Sequence, residues 1–504
     1  MPFKTDLFDY EPLRGPGASP QSESEEWLKL KRRQKSRTDE SNPAVKESSP
    51  DDSVEEPLIK KPTSATQSSL SKQQNATAGK QELKGEYGAL RSDRALWISR
   101  KGHAISFAGL FTFTFLVFFR PYEFSPSLLW LSKGALVTAI ITLIFFIPTQ
   151  LGLENRVTVR TREVNLVLLL IVFALLSIPL ATDRFQAFNS FFEYLKVIAM
   201  FIVMVNVMRT KKRLMAILML VLVATCVLSV SAINDYRTLK INLGGERIEG
   251  AIGGLFDNPN DLALHLVTFL PIVIALGLGT RNPLSKLFYL GVALLSLAGT
   301  VVTFSRGGLV GLTFAIGTLA WRLGRQNRFM VGVITTVFVI GFLVLTPSAY
   351  RGRISTTNDD SATARTGELK KSLYLTLRHP FFGVGMDNFV LFSNTEHATH
   401  NAYTQVSAEL GIPALITYIL FLAAAYKRAR RLPHPKDVPK KERFLPYLAV
   451  GLQAGLVAYM VSSFFASVAY LWYLYYLVAY VICVSRLYDT SGQSSSRFPP
   501  PITA

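Results

Sequence analysis

The stretch "NPNDLALHLVTFLPIVIALGLGTRNPLSKLFYLGVALLSLAGTVVTFSRGGLVGLTFAIGTLAW", residues 258–321, decides the fold. It holds three apolar runs, 262–279, 287–304 and 307–321, parted by the basic, turn-forming "TRNPLSK" and by a tight "SRG" link. At 1.5 Å per residue, a helical run of about 20 residues crosses the ~30 Å hydrocarbon layer of a bilayer. A helix also pairs its own backbone groups where no water can. Similar runs recur at 104–119, 128–148, 164–181, 187–208, 214–233, 329–346, 412–426, 445–465 and 469–484. The pattern predicts an all-α polytopic membrane protein with about 12 transmembrane helices.

Composition agrees with this reading. The 504 residues are 49% hydrophobic and only 18% charged, more apolar than a soluble core of this size requires. The first run begins too far along the chain to be a cleaved signal, which predicts insertion through internal helices. Cys226 and Cys483 both lie within apolar runs and indicate no disulfide framework. The formal charge of +19 comes with basic residues in short links between runs, not in an aromatic-interleaved basic domain, which argues against nucleic acid.

Every second link is rich in Lys or Arg: "ENRVTVRTRE", "RTKKR", "TRNPLSK", "RLGRQNR" and "KRARRLPHPKDVPKKER". By the positive-inside rule these are cytoplasmic, and an even helix count puts both termini there. Residues 1–95, rich in Ser, Lys, Glu, Gln and Pro, read as a disordered cytoplasmic tail, and 488–504 as a disordered cytoplasmic C-terminus. Between them, 96–487 form the membrane domain, with two long loops on the opposite side at 234–261 and 347–411. In the second loop, Leu369, Leu373 and Leu377 recur at helical spacing beside Tyr374, and charged residues fall elsewhere. That pattern predicts an interfacial amphipathic helix, ended by Pro380 and the Gly383-Val384-Gly385 turn.

Three outer segments set polar residues against apolar helices: "GGERIEGAIGGLFDNPNDLALHL", "TFSRGGLVGL" and "EHATHNAYTQ". In the first, Asn258-Pro259-Asn260 leads into a helix that Asn260 or Asp261 is expected to cap. A helix start that faces a polar cavity favours an anion, within reach of Arg247. In the second, Arg306 sits at the membrane boundary between two apolar helices. A snorkelling anchor is one explanation; an anion ligand is the other, favoured by the outer location, where basic residues are normally depleted. In the third, His400 precedes Asn401 at a helix entrance. An imidazole accepts a proton near neutral pH, although an isolated histidine is more often a cap or structural group. His397, His379 and His265 have weaker claims, and Asn358-Asp359-Asp360 reads as a solvated loop tip. No Cys/His metal spacing, Walker loop or dinucleotide fingerprint occurs, so no metal and no cofactor are expected.

Together, "R-x10-NPNDLA" at 247–263, "TFSRGG" at 303–308 and "HPFFGVGMDNF…HNAYTQVSAELGIPALI" from His379 onward resemble the O-antigen ligase and polysaccharide polymerase superfamily of bacterial inner-membrane glycosyltransferases. The resemblance spans roughly residues 120–487 and includes "FRPYEF" after the first run. It implies a GT-C-like helical bundle with a large periplasmic loop. It also implies transfer of a glycan from an undecaprenyl diphosphate carrier to an acceptor glycan, glycolipid or, in some relatives, protein hydroxyl. On this resemblance His400 is the base, and Arg306 and Arg247 are the essential periplasmic arginines. Arg365, Asn258, Asn260 and Asn401 are further candidates for substrate contact. The partners would be the lipid-linked glycan, the acceptor and the bilayer, with a chain-length regulator added for a polymerase. The alternative is a polytopic transporter or lipid-glycan flippase, for which Lys133, Glu193 and Lys196 are the main intramembrane charges.

Overall fold

Apolar runs punctuated by Ser, Thr, Asn and Asp become capped helices. The computed structural model describes residues 103–124, 126–238, 258–324, 332–333, 336, 360–393 and 399–490. The 1–95 tail, Arg247, His397, most of the apolar run at 329–346 and residues 491–504 lie outside the described residues. The helices are α1 (residues 103–119), α2 (Gly134–Glu154), α3 (Arg162–Ser177), α4 (Arg184–Val207), α5 (Lys211–Arg237), α6 (Pro259–Gly279) and α7 (Pro283–Val302). They continue with α8 (Arg306–Leu323), α9 (Asp360–Arg378), α10 (Ala402–Leu410), α11 (Ile412–Arg431), α12 (Phe444–Ser462) and α13 (Trp472–Thr490). No strand occurs among the described residues.

The caps follow elementary chemistry, since a short side-chain oxygen satisfies a free N–H of the first turn. Asp183 serves α4, Thr210 α5, Asn282 α7, Ser305 α8 and Asn401 α10. On α6 the cap is Asn258, accepting from the Asn260 N–H, and not Asn260 or Asp261 as expected. Pro259 explains the shift: it lacks an N–H and suits the first helical position, so the helix starts one residue earlier.

Nine helices among the described residues are long and apolar enough to cross a membrane. Two further segments expected to do so are helices of lower hydropathy, α8 and α13. The first carries Arg306 and Arg322 near its ends. The second, "WYLYYLVAYVICVSRLYDT", carries five tyrosines and is buried along most of its length. Its tyrosines face protein instead of lipid, with Tyr475 and Tyr476 bonded through their hydroxyls, so a hydropathy scale undervalues it.

Burial sorts the bundle into centre and rim. In α6, 83% of the apolar window is buried, against 22% in α2. The outward side chains of α2, such as Ile140, Ile144 and Phe145, form a continuous apolar surface suited to lipid. At the centre α6 meets α12 at short range. A Cβ on Gly451 would stand 2.6 Å from the Ala275 Cβ and 2.9 Å from the Pro271 carbonyl oxygen, so only glycine allows this approach.

The helix ends gather at two faces. On the basic face, Arg428 grips Glu163 through two bonds of 2.7 and 2.8 Å, Arg209 meets Glu154 and Gln150, and Arg486 donates to the Val205 carbonyl. On the opposite face, the Thr182 N–H donates to the Val384 carbonyl, Asn388 donates to the Asp183 carbonyl, and the α9–α10 region closes over the ends of α3 and α4. Lys196 pairs with Glu193 on its own helix.

Gly451→Leu is expected to destabilise the protein by ~1–3 kcal/mol or more through overpacking. A clear fall in the melting temperature of the detergent-purified protein checks this. Gly317→Ala, with open space around it, should keep or raise that temperature, because alanine is the better helix former.

Candidate active site

The face opposite the basic links is built from interrupted helices. The α7–α8 break is the first. Thr303 and Phe304 leave the helix, with Phe304 at φ 49°, and Ser305 restarts it by accepting the Gly308 N–H at 3.2 Å. The Ser305 hydroxyl donates to Asn260 Oδ1 at 2.9 Å, which joins the N-terminus of α8 to that of α6. Gly307 and Gly308 make this approach possible. Added Cβ atoms would stand 2.7 Å from Phe465 and 2.8 Å from Ala263 respectively. Arg306, first residue of α8, is exposed at this junction.

The second interruption is at the start of α10. His400 adopts φ 50°, a left-handed backbone that costs an L-residue roughly 1–2 kcal/mol. Neighbouring bonds hold it there. Thr399 Oγ1 donates to the Asn401 carbonyl, 2.9 Å away, and lies 2.9 Å from the Ser467 hydroxyl. The Asn401 side chain caps Tyr403 and Thr404. His400 itself is half-buried.

The third is the link 463–471 between α12 and α13, a 3₁₀ turn at Ser463–Phe465 followed by irregular backbone, which connects the other two. Its α8 side is Phe465, packed against Gly307; just before the link, the Ser462 hydroxyl at the end of α12 donates to the Gly307 carbonyl at 3.2 Å. Its α10 side is the Thr399–Ser467 bond, the Tyr403–Phe464 ring contact at 4.4 Å and the Ala469 N–H directed at Gln405 Oε1. Arg306 and His400 are thus each one residue away from a group bonded or packed to the same short segment. The N-termini of α6, α8 and α10 open on this face, so their partial positive ends favour an anion there.

The remaining candidates fall as follows. Asn258 and Asn260 are at the α6 start, the former as cap and the latter buried against Ser305. Arg365 is half-buried on α9. That helix leaves Leu369, Leu373, Tyr374 and Leu377 exposed, as the spacing predicts, and turns Glu368, Ser372 and Thr376 inward. "AYTQVSAEL", polar in part and included in the long loop, is a helix with almost every residue buried. One of its hydroxyls, that of Ser407, meets Thr376 at 2.9 Å. His265 is fully buried, 3.1 Å from the Thr225 hydroxyl. Sequence reading passed over Ser305, Thr399 and Ser467, because a hydroxyl beside a motif carries no signal until the fold supplies its partner. Among the described residues, no group of three or more His, Cys, Asp or Glu side chains could hold a metal ion.

Residues 291–419 match the family model described as O-antigen ligase. The matched segment contains Arg306, Arg365, His400 and Asn401, and runs from within α7 to the second turn of α11. No curated protein matches the chain. The match supports membership of the O-antigen ligase and polymerase family, and with it glycosyl transfer of that general type. With nine apolar helices, it supports a multi-pass protein of the bacterial inner membrane that acts on a lipid-linked glycan.

Ser305→Ala removes both the α8 cap and the tie to Asn260, at an expected cost of ~1–2 kcal/mol. A lowered melting temperature relative to wild type, with no such change for the exposed Thr313→Ala, checks this. His400→Gly should leave the melting temperature equal to or above wild type, because glycine accepts the left-handed backbone without strain.

Proposed function

We propose, from the O-antigen ligase domain at residues 291–419, that the protein transfers a glycan from an undecaprenyl diphosphate carrier to an acceptor hydroxyl at the periplasmic face. The observation that carries the reading is the shared 463–471 link, with Arg306 on one side and His400 on the other, among three helix N-termini. In this reading that face is periplasmic, the basic links are cytoplasmic, and about 12 spans surround the site.

A sugar joined through its anomeric carbon to a diphosphate is already activated, which leaves three tasks to the protein. It holds the diphosphate, directs the acceptor oxygen and takes up one proton. The Arg306 guanidinium is a permanently charged fork that matches phosphate oxygens. The α8 and α6 N-termini add fixed dipoles of the same sign. As charge builds on the departing diphosphate, these groups stabilise it without reorganising. Arg247 is assigned to the same task, and Arg365, Asn258, Asn260 and Asn401 to contacts with the glycan or phosphate.

His400 is assigned as the general base. Its imidazole takes the hydroxyl proton while the acceptor oxygen bonds to the anomeric carbon. The bond from that carbon to the diphosphate oxygen breaks, and its electrons leave with the diphosphate. One displacement from the face opposite the leaving group inverts the anomeric configuration. The exposed Leu369, Leu373 and Leu377 row of α9 seats that helix on the outer leaflet, where a carrier lipid presents its headgroup.

His400→Ala is expected to lower transfer by ~10²–10⁴-fold, the usual worth of a positioned base. Arg306→Ala should lower it by ~10²–10³-fold, both with unchanged membrane insertion. Product formation by the purified variants on lipid-linked glycan checks both, and wild-type rates for either would refute the assigned role. Envelope analysis after gene deletion separates the two acceptor classes. A core bearing a single repeat unit marks a polymerase, and a bare core with accumulated lipid-linked polymer marks a ligase.

A further inference from the structure

The chemistry assigned above leaves one buried acid unused. Glu409 lies in the last turn of α10 with its side chain 2% exposed, and its Oε2 has no hydrogen-bond partner. A carboxylate in that position would be an uncompensated buried charge. Among the described residues, no cation contributes to its electrostatics. The Asp387 N–H faces the Glu409 carboxyl, and the Asp387 side chain adds a negative charge nearby. The buried hydroxyl of Tyr470 faces the same carboxyl and also lacks a partner in hydrogen-bond geometry.

Tyr470 belongs to the 463–471 link, and the contacts of this link run in step along α10. Ser467 meets Thr399, the Ala469 N–H points at Gln405, and Tyr470 faces Glu409. The link is therefore a strap laid lengthwise on α10. It is fastened at one end beside His400 and at the other by Glu409. The Val384 and Gly385 N–H groups hold the C-terminal carbonyls of α10 at Ala408 and Glu409, so the helix itself is fixed.

We propose that Glu409 is a positioning residue for His400: as a neutral acid it shares a proton with the Tyr470 hydroxyl and holds the strap along α10. The inference rests on the assignment of His400 as the base.

The charge environment agrees with the geometry. Burial, followed by the Asp387 carboxylate, pushes the Glu409 carboxyl up to about 8. From α4, Tyr194 packs behind Tyr470 with ring centroids 5.3 Å apart. On α9, Glu368 is bonded to Ser393, Arg378 to the Tyr374 hydroxyl, Lys371 is half-buried and His379 is exposed. The folded value lies above that of an unfolded chain. The stabilisation carried by the neutral acid is therefore complete below the ordinary carboxylate range and is lost as pH rises through about 8.

The test uses the full chain in lipid nanodiscs, as wild type, Glu409→Gln, Glu409→Ala and Tyr470→Phe. It follows the protonated-carboxyl infrared band and the amide protection of 399–405 and 466–471 between about pH 6 and pH 9. The expected result is a wild-type band that disappears near pH 8 and is missing from Glu409→Gln, with protection of both segments falling as the band is lost. Glu409→Gln, always neutral, keeps its protection across the range, while Tyr470→Phe lowers protection at every pH. Glu409→Ala, where it folds, does the same. A wild-type band that titrates in the ordinary carboxylate range, or protection indifferent to pH and to Tyr470→Phe, overturns the proposal. None of these readouts needs turnover. If they hold and His400→Ala transfers glycan normally, the His400 assignment fails, and with it the role of Glu409 in positioning a base. If His400→Ala is inactive and protection is indifferent, the Glu409 proposal alone fails.

Discussion

A non-helical backbone packed among apolar helices must find partners for its carbonyls and N–H groups inside the protein, and the 463–471 link meets that requirement with tyrosines. The Tyr459 hydroxyl donates to the Val468 carbonyl and Tyr475 to that of Ala469, while Tyr403 donates to the Met460 carbonyl in the last turn of α12. Behind them, Tyr194 meets Tyr475 and Tyr418 meets Tyr459, each at 2.8 Å. Tyr459 and Tyr475, costly in lipid, satisfy carbonyls of the link that no helix satisfies. The irregular link can then lie between α8 and α10 and relate the residues on either side.

The two faces divide the work. The basic face is tied by charge-assisted bonds to buried or half-buried partners, above all the two-pronged Arg428–Glu163 pair across α11 and α3. The opposite face carries the strain. Of the five non-glycine residues with positive φ among the described residues, Arg120, Phe304, Asp387 and His400 lie there and Asn155 lies on the basic side. Strain of this sort persists where surrounding bonds over-determine the backbone, and such places recur at functional sites. Here the bonds are the Ser305–Asn260 and Thr399–Ser467 pairs.

That arrangement suits a diphosphate-activated sugar. The donor needs fixed positive potential more than it needs covalent help, and helix N-termini with an arginine supply it at the membrane boundary. The acceptor needs a base whose direction is held, and a left-handed residue between two bonded neighbours has little freedom. Under the proposed function, rigidity in α10 and its strap serves the chemistry as well as the structure.

Much of this was legible in the chain. Apolar runs and their Ser, Thr, Asn and Asp boundaries determined the helices and most of their caps, because both depend on neighbours within a few residues. The alternation of basic links determined which helix ends share a face. The Leu369, Leu373 and Leu377 spacing determined which side of α9 stays uncovered, and Arg306 and His400 were marked by their place at helix entrances. What only the tertiary structure decided was long-range pairing. Ser305 with Asn260, Thr399 with Ser467 and Glu409 facing Tyr470 join residues between 45 and 68 positions apart. Hydropathy patterns report how each helix meets its solvent; they carry no record of which hydroxyl or carboxyl of another helix arrives opposite, and in a water-poor interior that arrival decides whether a polar group is a cost or a contact.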